Sequence, residues 1–435
     1  MNRRKVLLGG SIGGLGMAVL PWSRVLGAND TVNIGVIGCN GMGFSNLRSM
    51  LSHANTRCIA LCDVDHRVLE RQQAEVIKIS GHTPRLYADY RALLDDADVD
   101  AVIIGTPDHW HCLQMVDASA AGKHVYVEKP LANTIAECEL MISAQEKYQN
   151  VVQVGQWQRS GAHWQSAMDY LHSGALGPVR TVKSWAYMDW FKILKPLPDE
   201  PVPDGVDYDM WLGPAPRRPF NPNRFHFTFR WFWDYAGGLM TDWGVHMLDI
   251  VLWGMQADYP QRVMSSGGNF AYPDSAMETP DTQQAIYQFA DFTMIWEHAV
   301  GVGLGPFQRS HGVAFIGNNG TLVVDRQGWE IFPEVERSTG LYKVPAMPAR
   351  KVQPAQRGLN QHTENFLDCI RHGGQPRCDI RTGSLAAVNA HLGNVALRTG
   401  ATLDWDAESA TFRGHRAANK LIKPVYRRPW RLPDV

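Results

Sequence analysis

From Thr31 to Gln156 the chain alternates short apolar runs with amphipathic segments, and this alternation limits the fold more than any other feature. TVNIGVIG (31–38), TRCIALCDVD (56–65), VDAVIIGTP (99–107), HVYVEKP (124–130) and VVQVGQ (151–156) read as strands. SNLRSMLS (45–52), HRVLERQQAEVIKIS (66–80), HCLQMVDASAAG (111–122) and AECELMISAQEKYQ (136–149) read as helices by period. Strands that are apolar on both faces need helices on both sides, which predicts an α/β unit with a doubly wound parallel sheet. After about residue 178 the texture changes. VRTVKSWAYM (179–188), RVMSSGGNF (262–270), TQQAIYQFADFTMIWEHAV (282–300), HGVAFIGNNGTLVVD (311–325) and WEIFP (329–333) alternate and are split by turns, with GNNG (317–320) a hairpin signal. An α+β domain with a large open, mostly antiparallel sheet is expected there. Residues 201–233 are expected to be a long loop region, and segments 362–373 and 383–400 return to helix. The expected division is one domain over 31–156 and a second over 157–435, with C-terminal helices that can pack back on the first.

With 435 residues the chain has room for two domains, and 45% hydrophobic against 20% charged residues suits a globular core. The net charge of −1 gives no general attraction to nucleic acid or to a membrane surface. Fifteen tryptophans fit either a sugar platform or a packed core. Seven cysteines with no CxxC argue against a disulfide framework or a zinc site. Cys58 and Cys62 share one predicted strand, roughly 13 Å apart and too far to bridge.

The first 28 residues read as an export signal. Arg3-Arg4 precede Val6-Leu7-Leu8, a Gly/Leu/Ala run follows, and Ala28 ends it with small residues. The paired arginines match the twin-arginine subtype, so a periplasmic, exported protein is expected. An uncleaved anchor is the alternative. The apolar run is short of the roughly 20 residues that a span needs, so no stable membrane span is expected after cleavage. Free thiols fit a protein that folds in the reducing cytosol before export.

Between the first strand and the first helix lies Gly38-Cys39-Asn40-Gly41-Met42-Gly43, a GxxGxG turn. Such glycines let the backbone approach a pyrophosphate held at a helix N-terminus. Asp63, twenty residues beyond Gly43 at the next strand end, is placed to accept ribose hydroxyls. Its charge would repel a 2′-phosphate, so NAD is expected, with NADP the alternative because His66 and Arg67 lie close by. A turn that binds no phosphate is the other reading.

GGLMTDWGVHMLDI (237–250) places Asp242 and His246 four residues apart on an apolar helix. A satisfied buried pair, a metal site shared with Asp249, and an acid–base pair all fit the residue types. No HExxH spacing occurs, and no metal is expected.

TPDHWH (106–111), AGKHVYVEKP (121–130) and GGLMTDWGVHMLD (237–249), in this order, resemble the Gfo/Idh/MocA family, the relatives of glucose–fructose oxidoreductase and inositol dehydrogenase. The resemblance spans nearly all of the chain after the signal. The GxxGxG turn departs from the usual GxGxxG and leaves open which amides hold the phosphates. The resemblance implies a Rossmann-like domain, an open mixed-sheet domain, and an active site between them. It implies a nicotinamide dinucleotide, a sugar or polyol substrate, and Lys129, Asp242 and His246 as the catalytic positions. The peptide before the proline of EKP is often cis in relatives. A dimer or tetramer is implied too, because the family's open sheet commonly packs against another subunit.

On that reading His246 is the base that takes the alcohol proton, Lys129 stabilises the developing alkoxide, and Asp242 orients or binds substrate. Thr106, Pro107, His111, Glu128 and Gln156 join Gly38, Asn40, Gly41, Met42, Gly43, Asp63 and Lys129 as expected cofactor contacts. Trp157, Arg159, Tyr187 and Arg230 join Asp242 and His246 as expected substrate contacts, with packing as the alternative for each; Arg224 and Trp231 are weaker candidates of the same kind. An exported enzyme has no soluble NAD pool, so the cofactor is expected to be tightly held and recycled. Either a second carbonyl is reduced, or a glycoside is oxidised, eliminates its aglycone and is reduced again, as in a redox-neutral NAD-dependent glycosidase.

Overall fold

The computed structural model describes residues 31–191, 193–344, 350–354 and 358–435. The predicted export signal lies outside the described residues. Strands β1 (Val32–Ile37), β2 (Thr56–Cys62), β3 (Arg85–Tyr87), β4 (Ala101–Ile104), β5 (His124–Val127) and β6 (Val152–Val154) form one parallel sheet in the order β3-β2-β1-β4-β5-β6. The apolar strands are buried on both faces as the sequence requires, and every residue of β4 is fully enclosed. The order reverses between β1 and β4, which opens a crevice at their carboxyl ends.

Local signals set some helix bounds with no help from tertiary structure. The helix His66–Ser80 starts where Asp65 accepts a hydrogen bond from the Arg67 amide at 3.0 Å and stops at Gly81, whose φ is +72°. The helix after β4 runs Asp108–Ala120, three residues earlier than expected, so His109 and His111 are helical. The short strand β3 and the helix Tyr90–Leu94 were not expected; three to five residues carry too little period to be read.

The second sheet comprises β7 (Val179–Met188), β8 (Arg262–Gly268), β9 (Thr282–Gln288), β10 (Thr293–Val300), β11 (His311–Gly317), β12 (Gly320–Asp325), β13 (Gly328–Pro333), β14 (Arg350–Val352), β15 (Leu403–Asp406) and β16 (Thr411–Phe412). Its order is β14-β13-β12-β11-β7-β10-β9-β8-β15-β16, antiparallel except for the β7–β10 pair. One face carries Val182, Tyr287, Met294, Trp296 and Phe315 into the core against helices Ala162–His172, Val245–Met255 and Ile380–Thr399. The other face carries Met264 and Ile286, each 38% exposed.

Several connections tie the domains together. The helix Leu359–His372 returns to the first domain, where Ser49 donates to Asn360 at 2.7 Å and Gln153 donates to the His362 carbonyl at 2.7 Å. Residues 201–233, expected as loop, form a strap over the first domain. The His66 amide donates to the Gly205 carbonyl at 2.9 Å, the Asp207 amide donates to the Val64 carbonyl at 2.8 Å, and Asp65 bridges to Val206. All seven cysteines are buried and free.

Burial also stores an acid sensitivity. Desolvation pushes the imidazoles of His109, His298, His362 and His391 down to about 4 and His311 to about 3. Above the ordinary imidazole pKa of about 6.5 neither folded nor unfolded chain protonates these groups, so they contribute nothing to pH dependence. Below it the unfolded chain takes up protons that the folded chain refuses, at up to about 1.4 kcal/mol per pH unit for each group. Urea unfolding should therefore shift to steadily lower midpoints from pH 7 to pH 5, with several protons taken up on unfolding. A flat midpoint over that range would contradict the burial of these rings.

Candidate active site

A cavity of about 560 Å³ runs from the glycine turn and Asp63 at one end to Lys129, Arg230 and Asp242 at the other. At the turn end Gly38 has φ +81°, and an added Cβ there would lie 2.7 Å from the Gly105 backbone. A Cβ on Gly41 would meet nothing within 4 Å, so this glycine leaves the cavity side open. The helix Gly41–Met50 begins with no side-chain cap at Asn40 and no acidic residue in its first turn, which leaves its N-terminus available to an anion. Asp63 is held in place by the amides of Cys39 at 2.8 Å and Asp65 at 3.0 Å, and burial raises its pKa. An open glycine turn, an uncapped helix start and a carboxylate on the neighbouring strand fit a dinucleotide with unphosphorylated ribose.

Gly43 does not line the cavity. A Cβ there would fall 2.0 Å from the Gly38 carbonyl oxygen, so this glycine lets helix and turn pack closely and is not a phosphate contact. Asn40 and Met42 do line it. Thr106, Pro107 and Glu128 line its walls, whereas His111 does not. The His111 ring nitrogens face the backbone carbonyls of Pro130 at 2.8 Å and Thr106 at 2.9 Å, so this residue braces the loops after β4 and β5. Glu128 accepts from Asn46 at 2.7 Å and from the Lys129 amide at 3.2 Å. The missing side chain of Gly155 makes room for it. The Lys129–Pro130 peptide is cis.

The Lys129 ammonium donates to the Asp242 carboxylate at 2.7 Å and to the Asp242 carbonyl at 2.9 Å. Arg230 pairs with the other carboxylate oxygen at 2.7 Å. Burial would raise the Asp242 pKa, but Arg230 and then Lys129 override it and hold the carboxyl well below the ordinary range. Asp108, unnoticed in the sequence, begins the next helix at this end of the cavity. Burial pushes its carboxyl up to about 8, against the pull of Lys129.

Asp242 and His246 are not one α-helical turn apart as expected. Met240–Gly244 is a π-helical turn, and the α-helix begins at Val245. The wider turn sends Asp242 to the two cations and puts His246 beyond the cavity wall, edge-on to Trp157 and Trp243 with ring centroids 6.3 and 6.2 Å away. Burial, then the cations of Lys129 and Arg326, pull the His246 imidazole well below its usual pKa, and its Nδ1 is enclosed without a partner.

Several further expected contacts are elsewhere. Gln156 is buried, donating weakly to the Val245 carbonyl at 3.4 Å and accepting from Cys378 at 3.1 Å. Arg159 is paired with buried Asp249 at 2.8 Å, a contact that also removes Asp249 from any shared ligand set. Tyr187 points from β7 to the sheet face opposite the helices, beside Trp185. Arg224 is drawn to the Pro219 carbonyl and Asp199, and Trp231 is core. Trp157 does stand beside His246. Arg326, His226 and Phe227 escaped notice because loops and a hairpin turn deliver them, with no motif around them; Trp243 sits inside GGLMTDWGVHMLD but reads there as one more apolar residue.

Two family models cover most of the chain. The model described as "Oxidoreductase family, NAD-binding Rossmann fold" matches residues 32–156, and "Oxidoreductase family, C-terminal alpha/beta domain" matches residues 171–432. An aldose-aldose oxidoreductase from Caulobacter crescentus is similar in structure, with a TM-score of 0.65 at 21% identity over 86% of this chain and 99% of that one. The WlbA dehydrogenase from Bordetella pertussis, solved with NADH and UDP-GlcNAcA, gives 0.64 at 17% identity over 87% and 98%. An alpha-N-acetylgalactosaminidase from Shewanella oneidensis is 35% identical over 124 residues, which is 28% of this chain and 27% of that protein. The chain thus spans about a quarter of the length of the curated relatives it matches. The strand order, the glycine turn facing Asp63, and the two matched models make this chain a member of the Gfo/Idh/MocA oxidoreductase family, with its NAD-binding Rossmann fold.

Proposed function

We propose that the protein oxidises an alcohol carbon of a sugar, polyol or sugar derivative. The observation that carries this reading is Lys129 bonded to Asp242 at one end of the cavity whose other end is the glycine turn and Asp63. Bound there, NAD supplies the hydride acceptor. Lys129 holds its ammonium where an alkoxide develops, and Asp242 fixes that ammonium and offers a carboxylate to a sugar hydroxyl. His246 stands behind Asp242 and outside the cavity lining, so the reacting alcohol has to reach past Asp242 to the Trp157–Trp243 wall. There His246, neutral at working pH, takes the alcohol proton on Nε2, since Nδ1 is enclosed. His246→Ala should lower kcat by about 10²–10⁴-fold while NAD still binds. Asp63→Ala should act in reverse, weakening NAD binding first. Both are read by stopped-flow NADH absorbance and NAD titration. Most of the activity surviving in His246→Ala would refute the assignment.

The strap supports a cofactor that stays bound through catalysis. His226 from the second domain meets Asp65 at 3.0 Å, and Phe227 and Trp211 line the same cavity. A retained cofactor suits two modes. One reduces a second carbonyl substrate with the same NAD. The other is a redox-neutral glycosidase, a reading that fits, without being favoured by, the likeness of 124 residues of this chain to an alpha-N-acetylgalactosaminidase. Aglycone release from a glycoside without net NADH would favour the second, and net keto-sugar the first. The reading includes export by the twin-arginine route and a dimer or tetramer joined through the open sheet face at Met264 and Ile286. Purified protein should carry NAD(H) through gel filtration, and His226→Ala should speed its release about fivefold, the worth of one modest hydrogen bond. An empty protein with loose NAD binding would contradict the retained-cofactor reading.

A further inference from the structure

Arg326 lies in the two-residue turn between β12 and β13, and the turn is held firmly. Asp325 accepts from the Gln327 amide at 2.7 Å and pairs with Arg309 at 3.0 Å, and its carbonyl meets the His163 ring at 3.0 Å. The guanidinium carbon lies over two indoles, 4.6 Å from the Trp157 ring centre and 4.3 Å from that of Trp243. These are the same two rings that stand edge-on to His246. Its Nε donates to Gln158 at 3.0 Å. Among the described residues no carboxylate stands within ion-pair distance of it; the acid whose field it feels, Asp242, is already shared by Lys129 and Arg230. Desolvation pulls this guanidinium down to about 10. The histidines around it, His246 and His311, are held neutral and offer no negative charge.

A cation removed from water is costly unless it meets an anion. Here two tryptophan rings lie against the guanidinium and one edge is used by Gln158. What remains is a planar edge with paired N–H donors, the geometry that matches a carboxylate. A phosphate dianion would leave one charge unpaired on a lone guanidinium, since the two other cations are committed to Asp242. We propose that Arg326 is a specificity-determining residue that binds a carboxylate on the substrate, so that the substrate is an acidic sugar of the hexuronate class, free or as a glycoside. This inference rests on the sugar-oxidising reading of the site and adds the charge of the substrate to it.

The test compares binding of glucuronate, galacturonate and mannuronate with binding of their parent aldohexoses to the NAD-loaded protein, by calorimetry, for wild type, Arg326→Lys and Arg326→Gln. Wild type should prefer at least one uronate by roughly tenfold or more, as a charge-assisted hydrogen bond allows. Arg326→Gln should lose the preference while keeping wild-type NAD affinity, and Arg326→Lys should keep part of it. In turnover the loss should appear in KM more than in kcat. Equal binding of uronate and parent sugar, no binding of either, a preference that survives in Arg326→Gln, or tighter binding of glucose 6-phosphate overturns the proposal. A uronate preference that depends on Arg326, with no hydride reaching NAD, upholds the anion site and overturns the oxidoreductase reading instead.

Discussion

One carboxylate sets the geometry at the junction of the two domains. Asp242 receives Lys129 from the loop that follows β5 and Arg230 from the strap, and both contacts measure 2.7 Å. Burying a carboxylate costs several kcal/mol, and a single partner in an imperfect geometry repays it poorly. Two cations, one of them also bonded to the Asp242 carbonyl, satisfy the lone pairs that water would otherwise hold. The cluster cannot form unless the parallel sheet, the strap and the π-helical turn Met240–Gly244 are all in register. It makes the site a consequence of the whole fold and not of any one segment.

The backbone is arranged to serve that cluster. Gly237 and Gly238 let the chain enter the helix where side chains would collide with Thr241 and Thr279, and Gly238 has φ +67°. The π-helical turn that follows adds a residue to the helical circuit and rotates Asp242 away from the line of His246. A regular α-helix would have stacked the two side chains against each other. Instead the carboxylate serves the cations and the imidazole faces a separate aromatic wall of Trp157 and Trp243.

How much of this could be read from sequence depends on the range of the interactions involved. The parallel sheet and its helices were legible because burial on both faces forces continuous apolar runs, and the helix His66–Ser80 carries its own cap and stop. The cavity end at Gly38, Gly41 and Asp63 was legible because close backbone approach leaves glycines in the chain. The π-turn was not, since five residues with an α-like pattern carry no mark of the extra one. Gln156 and Arg159 misled because their partners, Cys378 and Asp249, are distant in sequence, so a polar residue after a strand looked available. The strap misled in the opposite sense. Pro-rich and aromatic, it read as loop, yet its backbone pairs with residues 64–66 and covers the cofactor crevice.

The electrostatics link the proposed base to the proposed anion site. His246 is depressed by burial, then by Lys129 and Arg326. Asp242 opposes this field but is outnumbered, since it already faces Lys129 and Arg230. A base held far below the working pH is a weak proton acceptor. A carboxylate seated on Arg326 would cancel one of the cations that depress His246 and raise its pKa toward the range where it accepts a proton efficiently. An acidic substrate would then supply part of the activation that the protein alone lacks, and a neutral sugar of the same shape would meet a poorer base as well as an unpaired guanidinium.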